Sequence, residues 1–242
     1  MKFIALLLTL LLAGITSAAP FDQNTLEQVM VLANRGNAEA QYHVGMMHNN
    51  GIGGASKDPK LAFDWFLKSA SGKDPLGAYK LGCYYAGQFP DAAPLDPQQA
   101  LDYKLLSAEA GYALAQHDVA NTYYQKADYV QAGKWWKLAA QQGFAPSAYN
   151  LSNWYHDGKV EAMDLAMSYA WFKISQLLSR GKLTDTAQAG LDKVALQMTP
   201  DQVQAAEKFV TDWRPNPTDL TLAARNAPVR IDALLKAASS AN

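Results

Sequence analysis

The stretch AQYHVGMMHNNGIGGASKDPKLAFDWFLKSASG, Ala40 to Gly72, decides the fold. Its glycine cluster, Gly51, Gly53 and Gly54, reads either as a phosphate cradle or as a turn between two helices. A phosphate loop needs a preceding strand and then Gly-Lys-Ser/Thr, or a further glycine where the next helix starts. Ser56 stands where the dinucleotide pattern wants glycine. The flanking segments space their apolar residues helically and show no strand-type alternation, so the cluster reads as an interhelical turn.

The second half of that stretch recurs along the chain. KLAFDWFLKSASG (60–72) returns as QQALDYKLLSAEAG (98–111), YVQAGKWWKLAAQQG (129–143) and AMSYAWFKISQLLSRG (166–181). The aligned aromatics Trp65, Tyr103, Trp135 and Trp171 lie 38, 32 and 36 residues apart. Each copy ends in glycine (Gly72, Gly111, Gly143, Gly181), the residue that takes the left-handed conformation past a last helical turn. A second helix precedes each copy, marked by Val44–Gly45, Leu81–Gly82, Val119–Ala120 and Leu151–Ser152. A small residue there admits the paired helix, and a ring three residues on (His48, Tyr85, Tyr123, Tyr155) fills the space above it. Self-similarity of this period predicts stacked antiparallel helix pairs.

The expected fold is therefore all-α: a right-handed α-solenoid of about four helix pairs over 37–181, with capping helices at both ends. One cap falls within 19–36, with a short helix from about Asn24 to Asn34. The other spans 182–213, where Thr199 caps a helix beginning at Pro200. RPNP (214–217) breaks helix, and 214–242 reads as a flexible tail with a short helix near Arg230–Ala238.

The first residues, MKFIALLLTLLLAGITSAAPF, have the form of a secretory signal peptide over 1–18. Lys2 supplies the positive end, and the apolar run from Phe3 to Ile15 is shorter than a bilayer span. Thr16 and Ala18 suit cleavage near Ala18; an uncleaved anchor is the competing reading. The expected location is the periplasm or the exterior, without stable membrane insertion. The formal charge of −1 and the lack of a Lys/Arg run argue against nucleic acid as a partner. Cys83 is the single cysteine, so no intrachain disulfide forms.

These residues resemble the Sel1-like repeat family, relatives of tetratricopeptide repeats, in the form exported by bacteria. Its pattern, roughly A-x-A-Q-x-x-L-G-x-x-Y-x-x-G-x-G and then K-A-x-x-W-x-x-K-A-A-x-x-G, is matched most fully by the first copy. Ala38, Ala40, Gln41, Val44, Gly45, Gly51, Gly53, Ala62, Trp65, Lys68, Ala70 and Gly72 carry the match. The third copy lacks the Gly-x-Gly loop, and the fourth has Ser152 for glycine. The resemblance implies a non-enzymatic scaffold for protein–protein interaction, in its narrower form an immunity protein or inhibitor of a secreted toxic effector such as a phospholipase. A cell-envelope or host-interaction adaptor is the alternative. A cell-wall or β-lactam-acting enzyme fits less well, because those relatives are cysteine-rich.

The residues support no catalytic assignment. Gly-x-Ser-x-Gly and His-Glu-x-x-His do not occur, and the one Ser-x-x-Lys, Ser179 to Lys182, runs through Gly181 at the end of the last copy. His43 and His48 are five apart and do not share a helix face, and His48 occupies a ring slot of the repeat. No metal or cofactor is expected. Trp65, Tyr103, Trp135, Trp136 and Trp171 read as core from their helical spacing and repeat position, Trp136 the least firmly. One stripe remains. Two residues before the buried marker come Tyr42, Tyr79, His117 and Tyr149; two after it come Met46, Cys83, Asn121 and Asn153. These are i, i+4 neighbours on one helix face. With Asn49, Tyr124 and His156 they form the expected partner-binding stripe along the concave groove, although tyrosine at the first position is also a scaffold residue of the family. Tyrosine combines apolar area with a polar tip, which suits a protein partner.

Overall fold

The computed structural model describes residues 22–158 and 163–240. The expected signal peptide lies outside the described residues. Among the described residues all regular structure is helical, in the order α1 (Thr25–Asn34), α2 (Ala38–Asn50), α3 (Pro59–Ser71), α4 (Pro75–Tyr85), α5 (Pro97–Glu109), α6 (Ala113–Gln125), α7 (Tyr129–Gln141), α8 (Ala145–Asp157), α9 (Leu165–Arg180), α10 (Asp185–Ala195), α11 (Pro200–Asp212), α12 (Asp219–Arg225) and α13 (Ala227–Ser240).

Helix starts follow local chemistry. Asn37, Asp58, Asp74, Asp96, Asp128 and Asp164 each accept a hydrogen bond from the first turn of the helix they precede. Thr199 and Gln202 form a reciprocal capping box at α11, with Pro200 in the first turn as expected. The pairs α2–α3, α4–α5, α6–α7 and α8–α9 pack face to face, and each abuts the next. Close approach is built in at Gly45, where a Cβ would lie 2.6 Å from the Phe66 ring. Phe66, Tyr84, Met47, Leu81, Leu151, Ile174 and Trp171 are fully buried along the stack. Trp65, Trp135 and Trp136 are buried too, whereas Tyr103 is half-buried at the edge of the cluster around Tyr84 and Tyr85. Truncating Trp171 to alanine would cost about 3–5 kcal/mol.

The opening glycines form the α2–α3 turn. Gly51, Gly53 and Gly54 all have positive φ. The Gly53 carbonyl accepts from the Leu26 amide (3.0 Å), and a side chain on Gly54 would run into the Gln23 carbonyl. The turn thus seats the start of α1. One expected helix end differs. Gly72 has φ −78° and is not left-handed; that conformation falls on Lys73 at φ 66°. Gly72 serves close packing instead, because a Cβ there would stand 2.6 Å from that of Ala38. In the next two pairs the left-handed position is occupied by Gly111 and Gly143.

The far end closes with α10 and α11, both against α9. Glu207 on α11 receives the Tyr169 hydroxyl (2.6 Å) and Lys173 Nζ (2.6 Å) from α9. The chain then turns back. The stretch expected to be a flexible tail forms α12 and α13 and runs along the turns that join successive pairs, from Gln141 to Glu39. The Asn216 amide donates to the Gln141 carbonyl (2.8 Å), and Thr218 Oγ1 donates to the Gly111 carbonyl (2.9 Å). Thr221, buried, donates to Gln142 Oε1 (2.7 Å) and accepts from the Ala113 amide (3.0 Å). Tyr112, which precedes α6, provides no side-chain cap, so Thr221 caps that helix from 108 residues away. Further on, Arg230 forms a two-pronged ion pair with Glu39 (2.8 and 2.7 Å). Ile231 is buried with Val29, Ala33 and Ala40. Residues 214–240 are therefore a strap across the repeats.

Candidate functional site

The expected stripe divides in two. Its N-terminal members are core. Tyr42 and Tyr79 are each 8% exposed. Tyr42 packs on Phe66, and the Tyr79 hydroxyl donates to Asp118 (3.2 Å), a carboxylate that also pairs with Lys104 (2.8 Å). Burial pushes both phenols well above their usual range. Asn49 is buried and accepts from the Tyr84 hydroxyl (2.9 Å). Met46 is half-buried against the same cluster. Cys83 is half-buried, and burial raises its thiol, which keeps it protonated and unreactive. Placing Tyr42, Asn49 and Tyr79 on a binding surface is thus corrected. The following repeat covers them, as the Tyr79 ring against Tyr112 shows.

The C-terminal members come together around α8. Tyr149 holds the same repeat position as Tyr42 and Tyr79 yet is 46% exposed, with its ring against Phe172 of α9. The pair that would come next is replaced by α10 and α11, which pack on α9. Asn153 and His156 are exposed on the next turns of α8, and His156 stands 3.9 Å from the Asp157 carboxylate. Tyr124, at the end of α6, packs on Trp136 and Tyr129.

Beneath this face lies a polar network. Trp136 Nε1 donates to Asn121 Oδ1 (3.0 Å), and Asn150 Nδ2 donates to the same oxygen (3.1 Å). An indole N–H can only donate, so the Asn121 nitrogen must face His117 Nε2, 3.0 Å away. Nε2 is therefore the acceptor, and Nδ1–H donates to Ser147 Oγ (2.8 Å). Burial lowers the His117 pKa, in keeping with a neutral ring. Asn121, braced by His117, thus sets the floor of a cleft between α6 and α8.

The cleft, about 270 Å³, is lined by Asn121, Tyr124, Gln125, Trp136, Asn150, Asn153, Trp154 and Asp157. A second cavity of about 260 Å³ adjoins it between α8, α9 and α10, with Tyr169, Phe172, Gly190, Leu191 and Val194 in its wall; Asn153 lines both. The sequence reading missed Asn150, Trp154 and the α10 wall. Asn150 was accessible to it, one turn from Asn153 on the same helix. The α10 wall was not, because no repeat fixes how α10 packs. Among the described residues no group of three or more His, Cys, Asp or Glu is placed to hold a metal ion.

A profile of the Sel1 repeat matches residues 38–74, 75–112, 113–144 and 145–175, well over half the chain and in register with the four pairs. The chain belongs to the Sel1 repeat family. Repeats of this family mediate protein–protein interaction. The chain is 33% identical over 144 residues to cytochrome c oxidase assembly factor 7 of Danio rerio, covering 55% of this chain and 48% of that one. It is 32% identical over 128 residues to the Sel1-like repeat-containing protein L21 of Acanthamoeba polyphaga mimivirus, covering 52% and 23%. It thus spans from about a quarter to about half the length of these curated relatives. Among solved structures it is similar to c5321, a protective antigen of uropathogenic Escherichia coli strains, with TM-score 0.65 at 24% identity over 84% of this chain and 43% of that one. A Sel1 repeat protein of Oxalobacter formigenes gives TM-score 0.62 at 21% identity over 79% and 80%. Both likenesses concern the Sel1 fold alone.

Proposed function

We propose that this Sel1 repeat protein is an exported, non-enzymatic scaffold that binds a partner protein on the α8 face. The observation that carries the reading is the contrast along one repeat position. Tyr42 and Tyr79 are buried by the stack, whereas Tyr149 stands exposed one turn before Asn153, which lines both cavities. The repeat design ends there and leaves aromatic and carboxamide groups outward, a composition suited to a protein interface. Sel1 repeats supply the interaction role, and the signal-like N-terminus supplies the proposed export to the periplasm or beyond. Among the described residues no helix is long and apolar enough to cross a membrane.

The test is affinity capture. The tagged chain, made with its own N-terminus, is recovered from an envelope extract alongside Tyr149→Asp. One stoichiometric protein lost in the variant supports the reading. A set of proteins indifferent to Tyr149→Asp refutes the α8 face, and no protein under several growth conditions refutes the scaffold. A captured toxin or phospholipase would select the narrower form, an immunity protein; an envelope or host protein would select the adaptor.

A further inference from the structure

Helix α10 contains a glycine that packing does not demand. Gly45, Gly77, Gly82 and Gly133 each sit where a Cβ would come under 3.0 Å from a neighbour. Gly190, inside α10, has nothing within 4 Å of the point where a Cβ would stand. Glycine within a helix is unfavourable relative to alanine, and here no close contact offsets that. Gly190 instead lies in the wall of the cavity formed with Phe172, Leu191 and Val194. A large side chain at 190 would stand in the wall of that well and take space from it.

The well is mostly apolar, with Ser152, Ser168 and His156 among its lining, and the adjoining cleft mixes carboxamides with the Trp136 and Trp154 rings. Each half is smaller than the roughly 300–1,000 Å³ typical of sites for whole small molecules. The two halves together suit a chain that runs across Asn153 and drops one side chain into the well. Carboxamides offer one acceptor and two donors, the complement of a peptide group. The Asn121 oxygen already accepts two hydrogen bonds, one of them from the Asn150 nitrogen, and its nitrogen faces His117. Asn153 makes no hydrogen bond to the described residues, and it is exposed. Among the described residues no lysine or arginine lines either half; Asp157 lines the cleft and His156 the well. A phosphate or a terminal carboxylate would find no lysine or arginine among these lining residues.

We infer that the α8 face takes an extended, internal, non-acidic peptide segment of a partner protein. Its backbone pairs with the Asn150 and Asn153 carboxamides, and one apolar side chain enters the Gly190 well. This deepens the protein-binding reading above and rests on it.

The probe is a random linear dodecapeptide library displayed on phage and panned on the full chain. Soluble copies of selected peptides are then titrated against wild type, Gly190→Leu, Asn153→Ala and a control at the opposite end, Val31→Ala. Selected peptides should share an apolar residue in a non-acidic context. Gly190→Leu should weaken them by about tenfold or more, the worth of one buried apolar side chain, while leaving the unfolding midpoint unchanged or raised. Asn153→Ala should cost about threefold to tenfold, and Val31→Ala nothing. A library without binders, acidic selected peptides, or binding indifferent to both Gly190→Leu and Asn153→Ala overturns the inference. Titration with chito-oligosaccharides covers the rival chemistry, and saturable binding there alone also overturns it. If the two variants leave capture of a native partner intact, the peptide subsite is wrong and the scaffold stands; if wild type captures no partner, the scaffold itself fails.

Discussion

Replacing Thr221 by valine tests whether the strap is part of the fold. The substitution keeps the shape of the side chain and removes one oxygen. That oxygen accepts from the Ala113 amide (3.0 Å) and donates to Gln142 Oε1 (2.7 Å), in a site where Thr221, Ala113 and Gln142 are all buried. Gln142 keeps its contact with the Thr218 amide (3.1 Å), so it is only partly stranded. The Ala113 N–H has no other acceptor in reach of its helix, because Tyr112 provides no side-chain cap. A buried donor left bare costs about 1–3 kcal/mol, and loss of an N-cap alone costs about 0.5–2 kcal/mol. These describe the same contact and do not add, so about 2 kcal/mol is expected. For a chain of this size that lowers the melting temperature by about 4–8 °C. Thr221→Ser is the control: it keeps the oxygen and loses a methyl group, for about 1 kcal/mol. The assay combines thermal unfolding with hydrogen exchange at the Ala113 amide, which reports locally even if repeats melt stepwise. Faster exchange at Ala113 in the valine variant but not in the serine variant is expected. If valine costs no more than serine, or Ala113 exchange is unchanged, the strap does not cap α6 and the reasoning is wrong.

Three other perturbations have defined outcomes. Burial pushes the Glu39 carboxyl up, but the Arg230 guanidinium and nearby His43 outweigh it and hold the pKa below its usual 4.5. A lowered folded pKa gives stability that is present above about pH 4.5 and lost as pH falls through the folded value; urea titrations below pH 5 should show this loss in wild type and a shallower one in Arg230→Gln. Gly45→Ala would drive a Cβ to 2.6 Å from the Phe66 ring and should cost about 1–3 kcal/mol by chemical denaturation. Lys73→Gly relieves a left-handed lysine and should raise stability by about 0.5–1 kcal/mol, the conformational relief of about 1–2 kcal/mol less the added unfolded-state entropy.

The repeats were legible because each pair writes its own packing into local sequence. The small residue after the buried marker, the aromatic in the partner helix and the Asp or Asn before it recur, and each acts over a few residues. The strap was not legible for the opposite reason. Thr218, Thr221 and Arg230 look like surface residues in sequence, and their partners lie 76 to 191 residues away. RPNP does end a helix, but the chain beyond it is ordered by contacts rather than by propensity. The stripe expected to meet a partner was legible in part as a set of positions. Repeat position correctly grouped Tyr42, Tyr79 and Tyr149, yet exposure depends on the element packed after each pair, and α10 obeys no repeat pattern. Asn121 and His117 were rightly placed beside one another on α6, while their role as a hydrogen-bonded floor required Trp136 and Ser147 from neighbouring helices. The glycine-rich turn shows the limit of motif reading: Gly51 ends α2 in the left-handed conformation, whereas Gly53 and Gly54 serve a contact with the start of α1 that the sequence pattern does not contain.

Whether a partner protein sits on the α8 face can be asked directly in cells that make the protein. A photo-crosslinking amino acid is placed at Tyr149, with Leu61 on α3 as an exposed control. A single adduct of defined mass from position 149 and none from position 61 is expected. No adduct at 149, or the same adducts from both positions, would contradict the proposed interface.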